Sequence, residues 1–228
     1  MPAPYDSITF DCYGTLIDWR RGISRAFLDE ASAAGVADEL ELDAERVLGI
    51  YHEVEPQVQA ESFRSYRAVL AETALRVAEF VGWEMDAAAA ERFAASVPGW
   101  PPFADTDVAL QRLASAGYTL GILSNVDDDL LAGTLQHFSA PFELIVTAEQ
   151  VRSYKPGHAH FEAARERIGG RRWLHAAQSL FHDIRPCNEL NIPAVWVNRL
   201  DETRAPGDPT PLHTVPSLAA LADWLESQ

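Results

Sequence analysis

Near its start the chain reads Ile8-Thr9-Phe10-Asp11-Cys12-Tyr13-Gly14-Thr15-Leu16-Ile17-Asp18. Residues 7–10 are largely apolar or β-branched, which suits a central strand covered on both faces of a sheet. Asp11 follows at once, and Gly14 permits a tight turn. Open α/β sheets keep their active sites at the carboxyl ends of strands, and a carboxylate there can form a covalent intermediate. Asp11 is therefore a candidate nucleophile, although an Asp that merely starts a turn gives the same local pattern.

The pattern of the chain changes twice after this stretch. Residues 18–100 show helical periodicity without a clear strand. Three of the predicted helices span 19–34, 65–81 and 86–95. A further predicted helix begins at Asp43 and bends or ends near Pro56. From residue 101 onward helices alternate with predicted strands at 118–123, 142–146, 177–181 and 194–197. The alternation predicts an α/β fold with a doubly wound parallel sheet built from residues 1–17 and 101–228. Residues 18–100 are then an inserted α-helical cap.

Composition narrows the class of protein. The chain has 228 residues and is 47% hydrophobic, which is typical of a globular protein, and it has no long uncharged apolar run that would predict a membrane span. Its formal net charge of −16 argues against a nucleic-acid partner and means that a small anionic substrate needs a local positive pocket. Two cysteines are too few for a disulfide framework, and no signal-peptide pattern is visible. A cytoplasmic location is expected.

Lysine usage gives a sharper signal. The chain contains seventeen arginines and a single lysine, Lys155. A lone lysine in such a background is a candidate for a site that needs a compact ammonium group rather than a planar guanidinium. Chance survival of one lysine is the alternative.

Polar side chains follow several predicted strands. Because the carboxyl ends of parallel strands share one edge of a sheet, we expect these side chains to converge on Asp11. Lys155 would keep Asp11 ionised, and Asp183 would orient Lys155 or activate water. Hydrogen bonds to a substrate carboxylate or phosphate would come from Thr15, Ser124 and Asn125. Taken singly, each of these residues can also be explained as a helix cap or a loop residue.

The chain resembles the haloacid dehalogenase superfamily. The matching segments are Asp11-Cys12-Tyr13-Gly14-Thr15-Leu16, Ser124-Asn125, Tyr154-Lys155-Pro156, Asp183 and Val195-Trp196-Val197-Asn198-Arg199. The resemblance implies a Rossmann-like core, a helical cap after the first motif and Asp11 as the nucleophile. In the phosphatase branch it also implies a magnesium ion held by Asp11, the carbonyl of Tyr13 and Asp183.

Two departures from the phosphatase pattern favour another branch. Most phosphatases of the family carry an acidic residue where this chain has Tyr13, and Gln178 stands where a metal-binding carboxylate is usual. A neutral amide is a weaker ligand for a hard cation. Both changes suit the branch without metal, which contains the (S)-2-haloacid dehalogenases and the similar azetidine-2-carboxylate hydrolase, so no cofactor is expected. The residues around Asp11 and the run Gln178-Ser179-Leu180-Phe181-His182-Asp183 look most like the latter.

The leading hypothesis is a hydrolase that forms an aspartyl ester with a small 2-substituted carboxylic acid. A magnesium-dependent phosphatase of a small metabolite and a non-catalytic binder of small anions are the alternatives. The resemblance is compatible with a homodimer. Candidate substrate-binding residues are Cys12, Tyr13, Trp19, Arg20, Tyr66 and Gln178. Arginines that could hold a leaving group are Arg20, Arg21, Arg64 and Arg67, among which the sequence does not choose.

Overall fold

Within residues 4–228, which a computed structural model of the protein describes, six parallel strands form one sheet. The strands are β1 Ser7–Phe10, β2 Thr119–Ser124, β3 Leu144–Thr147, β4 Trp173–Ala177, β5 Ala194–Val197 and β6 His213–Val215. Their order across the sheet is β3-β2-β1-β4-β5-β6. The predicted doubly wound α/β fold is confirmed, and β1 lies in the middle of the sheet.

The central strand β1 fixes the register of its two neighbours. All four of its residues are buried, as expected for a strand covered on both faces. Thr9 pairs with Gly121 of β2 on one side and with His175 of β4 on the other. Because all three strands run in the same direction, Asp11, Ser124 and Ala177 come at one edge of the sheet.

Helices on the sheet cover its apolar faces. In the unit that contains the sheet they are α5 Thr106–Ser115, α7 Ala148–Val151, α8 Ala159–Ile168, α9 Arg185–Glu189 and α10 Leu218–Glu226. Phe161 of α8 belongs to the same buried cluster as Leu123, Trp173 and Ile184. Burial of side chains of this size is worth roughly 1.5–3 kcal/mol each. This packing holds α8 against the sheet.

The fourth strand differs from the prediction. A strand was expected over 177–181, but β4 spans Trp173–Ala177 and is followed by a π-helical turn, Leu180–Ile184. His175 and two alanines weaken the apolar signal of β4 in the sequence, whereas pairing with β1 stabilises the strand in the fold. Inside the turn, the backbone N–H groups of Asp183 and Ile184 both donate to the carbonyl of Ser179. Asp183 is therefore held on a wound turn and not on a strand. The short strand β6 was also not predicted.

The second compact unit is helical and comprises residues 19–101 and 126–135. Its helices are α1 Trp19–Ala33, α2 Ala44–Glu61, α3 Tyr66–Val81, α4 Ala87–Ala95 and α6 Asp128–Thr134. Helix α2 continues past the exposed Pro56, where a bend or an end was expected, because Val54 and Val58 on either side are buried. Among the described residues, no helix combines the length and the apolar character needed to cross a lipid bilayer.

Residues 126–135 belong to the helical unit, although the sequence assigned them to the sheet unit. The carboxylate of Asp127 accepts hydrogen bonds from the backbone N–H groups of Tyr66 and Arg67, each at 2.8 Å. These N–H groups lie in the first turn of α3, where they have no partner inside the helix. Contact of Gly133 with Pro98 adds a second attachment within the unit. Both contacts depend on tertiary structure, which local sequence patterns do not reveal.

Two helical glycines give a test of the packing in the helical unit. A Cβ atom at Gly22 in α1 would lie 2.3 Å from the indole of Trp100, whereas a Cβ atom at Gly49 in α2 would meet nothing within 4 Å. Gly22→Ala should therefore lower the free energy of unfolding by about 1–3 kcal/mol through overpacking. Gly49→Ala should raise it by about 0.5–1 kcal/mol, since alanine is the better helix former. Urea unfolding midpoints measure both effects, and equal stability of the two variants would contradict the packing of α1 on Trp100.

Candidate active site

A buried ammonium group forms the centre of the site. Nζ of Lys155 donates hydrogen bonds to Oδ1 of Asp11 at 2.9 Å, Oδ1 of Asp183 at 2.6 Å and the carbonyl of Leu123 at 2.8 Å. The Lys155 side chain is 1% exposed. A lysine ammonium has three hydrogens, and each of them has an acceptor here. The prediction that the side chains of Asp11, Lys155 and Asp183 converge is therefore matched by the geometry.

The charges of this group depend on one another. Burial alone would lower the pKa of Lys155, but attraction to Asp11 and Asp183 outweighs burial and raises it. Burial alone would raise the pKa of Asp183, but Lys155 and a hydrogen bond from His175 outweigh burial and lower it. The geometry thus favours a charged lysine and a charged Asp183 at neutral pH.

Asp11 is the more exposed of the two carboxylates, with 12% of its side chain accessible against 1% for Asp183. Burial raises the pKa of Asp11, and the nearby Asp183 carboxylate raises it further. Lys155 and the hydroxyl of Thr15 act in the opposite direction, because both donate hydrogen bonds to the charged form. Because of its greater exposure, Asp11 is the carboxylate that is accessible to a substrate.

The hydroxyl of Thr15 donates a hydrogen bond to the second carboxylate oxygen of Asp11. Its hydroxyl accepts a hydrogen bond from the backbone N–H of Gln178 at 2.9 Å and donates to Oδ2 of Asp11 at 2.9 Å. The carbonyl of Thr15 accepts a hydrogen bond from Nε of Arg199 at 2.8 Å. Thr15 thus links the turn after β1 to the segments that follow β4 and β5.

Asn125 and Ser124 lie at the end of β2, next to the backbone of Lys155 and to His160. The Asn125 side chain accepts from the backbone N–H of Lys155 at 2.6 Å and donates to its carbonyl at 3.0 Å, so it holds the Lys155 backbone at the end of β2. Ser124 is fully buried, and its carbonyl is bonded to Nε2 of His160 at 3.1 Å. Binding of a substrate carboxylate by either side chain stays a prediction.

The structure adds two site residues to which the sequence gave no separate role. Nη1 of Arg199 donates to Asp105 at 2.9 Å, and its guanidinium lies 3.9 Å from the ring centre of Phe103, which fixes the cation that supports Thr15. Nε2 of His175 lies 3.1 Å from Oδ1 of Asp183. The pairing of β4 with β1 was the missing signal for His175, since the predicted strand began at residue 177, two residues after His175.

Other predicted substrate contacts in the sheet unit are occupied by protein contacts or buried. The side-chain amide of Gln178 donates to Glu202 at 3.1 Å, and the backbone carbonyl of Gln178 accepts from Nε1 of Trp196 at 2.7 Å. Cys12 is fully buried, and burial raises the pKa of its thiol well above the ordinary range, so it presents no surface to a substrate. Tyr13 is partly exposed next to Asp11. Its contact with a substrate remains a prediction.

The remaining predicted contacts lie in the helical unit. Trp19 is in edge contact with His52, to which Nη1 of Arg20 is also bonded at 3.3 Å. Tyr66 is held through its backbone by Asp127. Among the arginines, Arg64 pairs with Glu61 and Arg67 pairs with Asp129. No leaving-group residue is singled out by these contacts, and the roles of Trp19, Arg20 and Tyr66 stay predictions.

The donor set does not fit the magnesium site that the phosphatase branch implies. Oδ1 of Asp11 and Oδ1 of Asp183 both receive hydrogen bonds from Lys155, and Oδ2 of Asp11 receives one from Thr15. The position of a further metal-binding carboxylate is taken by Gln178, whose amide is bonded to Glu202. Among residues 4–228, no group of three or more His, Cys, Asp or Glu side chains is arranged to hold a metal ion. A hard divalent cation needs charged oxygen ligands, and three of the four carboxylate oxygens of Asp11 and Asp183 already accept hydrogen bonds from Lys155 or Thr15.

The amino-acid sequence is similar to those of curated haloacid dehalogenases. The chain is 29% identical to (S)-2-haloacid dehalogenase of Pseudomonas putida over 127 residues, which cover 54% of the chain and 56% of that relative. The alignment thus spans about half the length of this curated relative. A relative of the same description from Pseudomonas sp. strain YL is 25% identical over 224 residues, which cover 96% of the chain and 94% of the relative.

Solved structures show the same fold. L-2-haloacid dehalogenase from Xanthobacter autotrophicus, solved with chloropropionic acid covalently bound, superposes with a TM-score of 0.82 and 18% identity, covering 98% of this chain and 99% of that one. The family model for haloacid dehalogenase-like hydrolases matches residues 5–205, which include Asp11, Lys155 and Asp183. The chain therefore belongs to the haloacid dehalogenase-like hydrolases.

Proposed function

We propose that the protein hydrolyses a small 2-substituted carboxylic acid through an ester formed on Asp11. The observation that supports this most is the hydrogen bonding of Asp11, which places one oxygen on the ammonium of Lys155 and the other on Thr15. A carboxylate held in this way is oriented, paired with a cation and partly exposed, which are features that a carboxylate nucleophile needs.

In the first step, an oxygen of Asp11 attacks C2 of the substrate from the side opposite the leaving group. The new O–C2 bond forms as the bond from C2 to the leaving group breaks, and the leaving group departs with the electron pair. A halide leaves as the free anion, whereas the ring nitrogen of azetidine-2-carboxylate, which is protonated at neutral pH, leaves as a neutral amine. Dehalogenation and ring opening are thus two forms of the same displacement.

In the second step, water attacks the ester carbonyl of Asp11 and releases a 2-hydroxy acid. The water must lose a proton, and Asp183 is the base that we assign to this step. The bond between the Asp11 carbonyl carbon and the ester oxygen then breaks, the departing alkoxide oxygen takes up this proton, and Asp11 returns to its carboxylate form as the second proton of the water passes to solvent. Oδ2 of Asp183 is buried and receives no hydrogen bond from the described residues, so it is the oxygen that can take the proton from a water held next to it. Lys155 stays bonded to both carboxylates and limits the charge that builds up on Asp11.

The residues around Asp11 favour carbon over phosphorus as the site of attack. Phosphoryl transfer needs cations that neutralise the phosphoryl oxygens, and a general acid for the leaving group. Tyr13 takes the place of the family's acidic residue, and Gln178 is neutral. Displacement at carbon makes neither demand. Curated relatives described as (S)-2-haloacid dehalogenases support the same choice.

A substrate panel with chelator tests the proposal. Purified protein, treated with EDTA and dialysed, should release chloride from (S)-2-chloropropionate or 4-amino-2-hydroxybutyrate from azetidine-2-carboxylate, because no step needs a divalent ion. Ion chromatography measures chloride, and chromatography with mass detection measures the hydroxy acid. Asp11→Asn, which keeps the size of the side chain but removes its charge, is the matched control and should be inactive.

Two outcomes would contradict the proposal. Release of phosphate from p-nitrophenyl phosphate that needs added magnesium would favour the phosphatase, provided neither carboxylic acid is turned over. Lack of turnover on all three compounds, with saturable binding of 2-chloropropionate, would favour an anion-binding protein.

Replacement of the only lysine gives a second test. Lys155→Arg keeps the positive charge but substitutes a larger planar group, which cannot direct three N–H bonds to Asp11, Asp183 and the Leu123 carbonyl. We expect turnover to fall by about 100-fold or more. Steady-state rates measure the loss, and circular dichroism establishes whether the variant is folded. A folded arginine variant with wild-type turnover would show that a point-like ammonium is not required.

A further inference from the structure

A chain of hydrogen bonds leads from the interior of the sheet to Asp183. Nε1 of Trp173 donates to Oγ1 of Thr9 at 2.8 Å. Oγ1 of Thr9 lies 2.8 Å from Nδ1 of His175, and Nε2 of His175 lies 3.1 Å from Oδ1 of Asp183. The site described above includes Asp183, but its chemistry assigns no role to the other three residues.

The sheet register brings these residues together. Thr9 on β1 is the direct parallel partner of His175 on β4, and Trp173 lies two residues before His175. Residues two apart on a strand point to the same face, so both side chains of β4 reach the side chain of Thr9. On the same face, the ring of Phe161 packs edge-on against His175 with ring centres 5.4 Å apart. The imidazole is fully buried and cannot turn to a different partner without disturbing this packing.

The direction of each hydrogen bond follows from the donors. An indole N–H can only donate, so Oγ1 of Thr9 accepts from Trp173. The single hydrogen of the Thr9 hydroxyl then has one described acceptor, Nδ1 of His175. With Nδ1 as an acceptor, the ring carries its hydrogen on Nε2. That hydrogen points to Oδ1 of Asp183.

We propose that His175 is a positioning residue for ester hydrolysis, held by Trp173 and Thr9 as the neutral Nε2–H tautomer so that its N–H fixes Oδ1 of Asp183. This inference rests on the proposed function, in which Asp183 accepts the proton of the attacking water. Oδ1 of Asp183 then has two fixed donors, His175 and Lys155. Oδ2 is left as the oxygen that can act as the base.

The proposal separates the two chemical steps. Ester formation needs Asp11, Lys155 and Thr15, none of which is bonded to His175. Ester hydrolysis also needs the orientation of Asp183. Loss of the His175 hydrogen bond should therefore slow the second step more than the first, and the ester should accumulate.

The tautomer can be measured without any substrate. Long-range ¹H–¹⁵N correlation spectra of the ¹⁵N-histidine-labelled protein distinguish protonated from bare ring nitrogens, and the His175→Gln variant identifies the signals. His160 gives an internal reference, since burial lowers its pKa to about 3 and its Nε2 faces the carbonyl of Ser124. We expect a bare Nδ1 and a protonated Nε2 on His175 in the wild-type protein and in Thr9→Ser. Thr9→Val, which has nearly the same shape but no hydroxyl, should lose this fixed form.

Kinetics then test the role. With the acid that the wild-type protein turns over, His175→Leu and Thr9→Val should release one equivalent of leaving group in a burst, followed by steady turnover about 10–100-fold slower than wild type. An adduct on the peptide that contains Asp11 should be detected by mass spectrometry. His175→Gln, whose amide N–H can replace Nε2–H, and Thr9→Ser should restore turnover to within several-fold of wild type. Thermal unfolding establishes that each variant is folded under the assay conditions.

The outcomes separate this inference from the proposed function. A protonated Nδ1 in the wild-type protein, or folded variants in which burst and steady turnover decline equally, would overturn the role of His175 alone. If the wild-type protein turns over neither acid, the proposed function is overturned, and the role of His175 with it, whatever the nitrogen signals show.

Discussion

One buried cation shared between two carboxylates is the interaction on which the rest of the structure depends. Leaving a single charge buried and unpaired costs several kcal/mol, and breaking a buried pair typically costs 3–5 kcal/mol. The side chains of Asp183 and Lys155 are each about 1% exposed, so removal of either one would leave the other as a buried charge with less compensation and would destabilise the fold. Asp11 adds a second negative charge beside the same ammonium. Burial alone would favour the neutral form of Asp11, and the ammonium of Lys155 opposes that effect.

The sheet supplies the means of bringing these charges together. Because β1, β2 and β4 are parallel neighbours with β1 between them, the turn after each strand opens at the same edge. Asn125 then holds the Lys155 backbone against the end of β2, while Thr15 connects Asp11 to the backbone N–H of Gln178 after β4. The polar side chains of Asn125 and Thr15 thus tie the segments that carry Lys155 and Asp11 to neighbouring parts of the sheet edge. Such cross-connections explain how a site built from distant parts of the chain can hold fixed geometry.

The sequence predicted the parts of this design that have local or compositional signatures. A short buried strand that ends in Asp11, a solitary Lys155 among arginines, and the alternation of helices and strands were sufficient for the fold and for the convergence of the charged residues. His175 and Arg199 could not be assigned roles, because their importance lies in partners more than a hundred residues away, such as Thr9 and Thr15. The bounds of β4 failed for a related reason, since strand pairing outweighed a weak apolar pattern. The sequence of the helical unit has no comparable motif.

The covalent bond between Asp11 and substrate carbon is the central claim, and its direct test is a single turnover in H₂¹⁸O with the protein in excess over the substrate. Water attacks the Asp11 carbonyl carbon in this account, so the first turnover should leave ¹⁸O in the Asp11 side chain and release an unlabelled 2-hydroxy acid. Mass spectra of the peptide that contains Asp11 and of the product measure both. A product that carries ¹⁸O from the first turnover, with an unlabelled Asp11, would show that water attacks the substrate directly and would contradict the account.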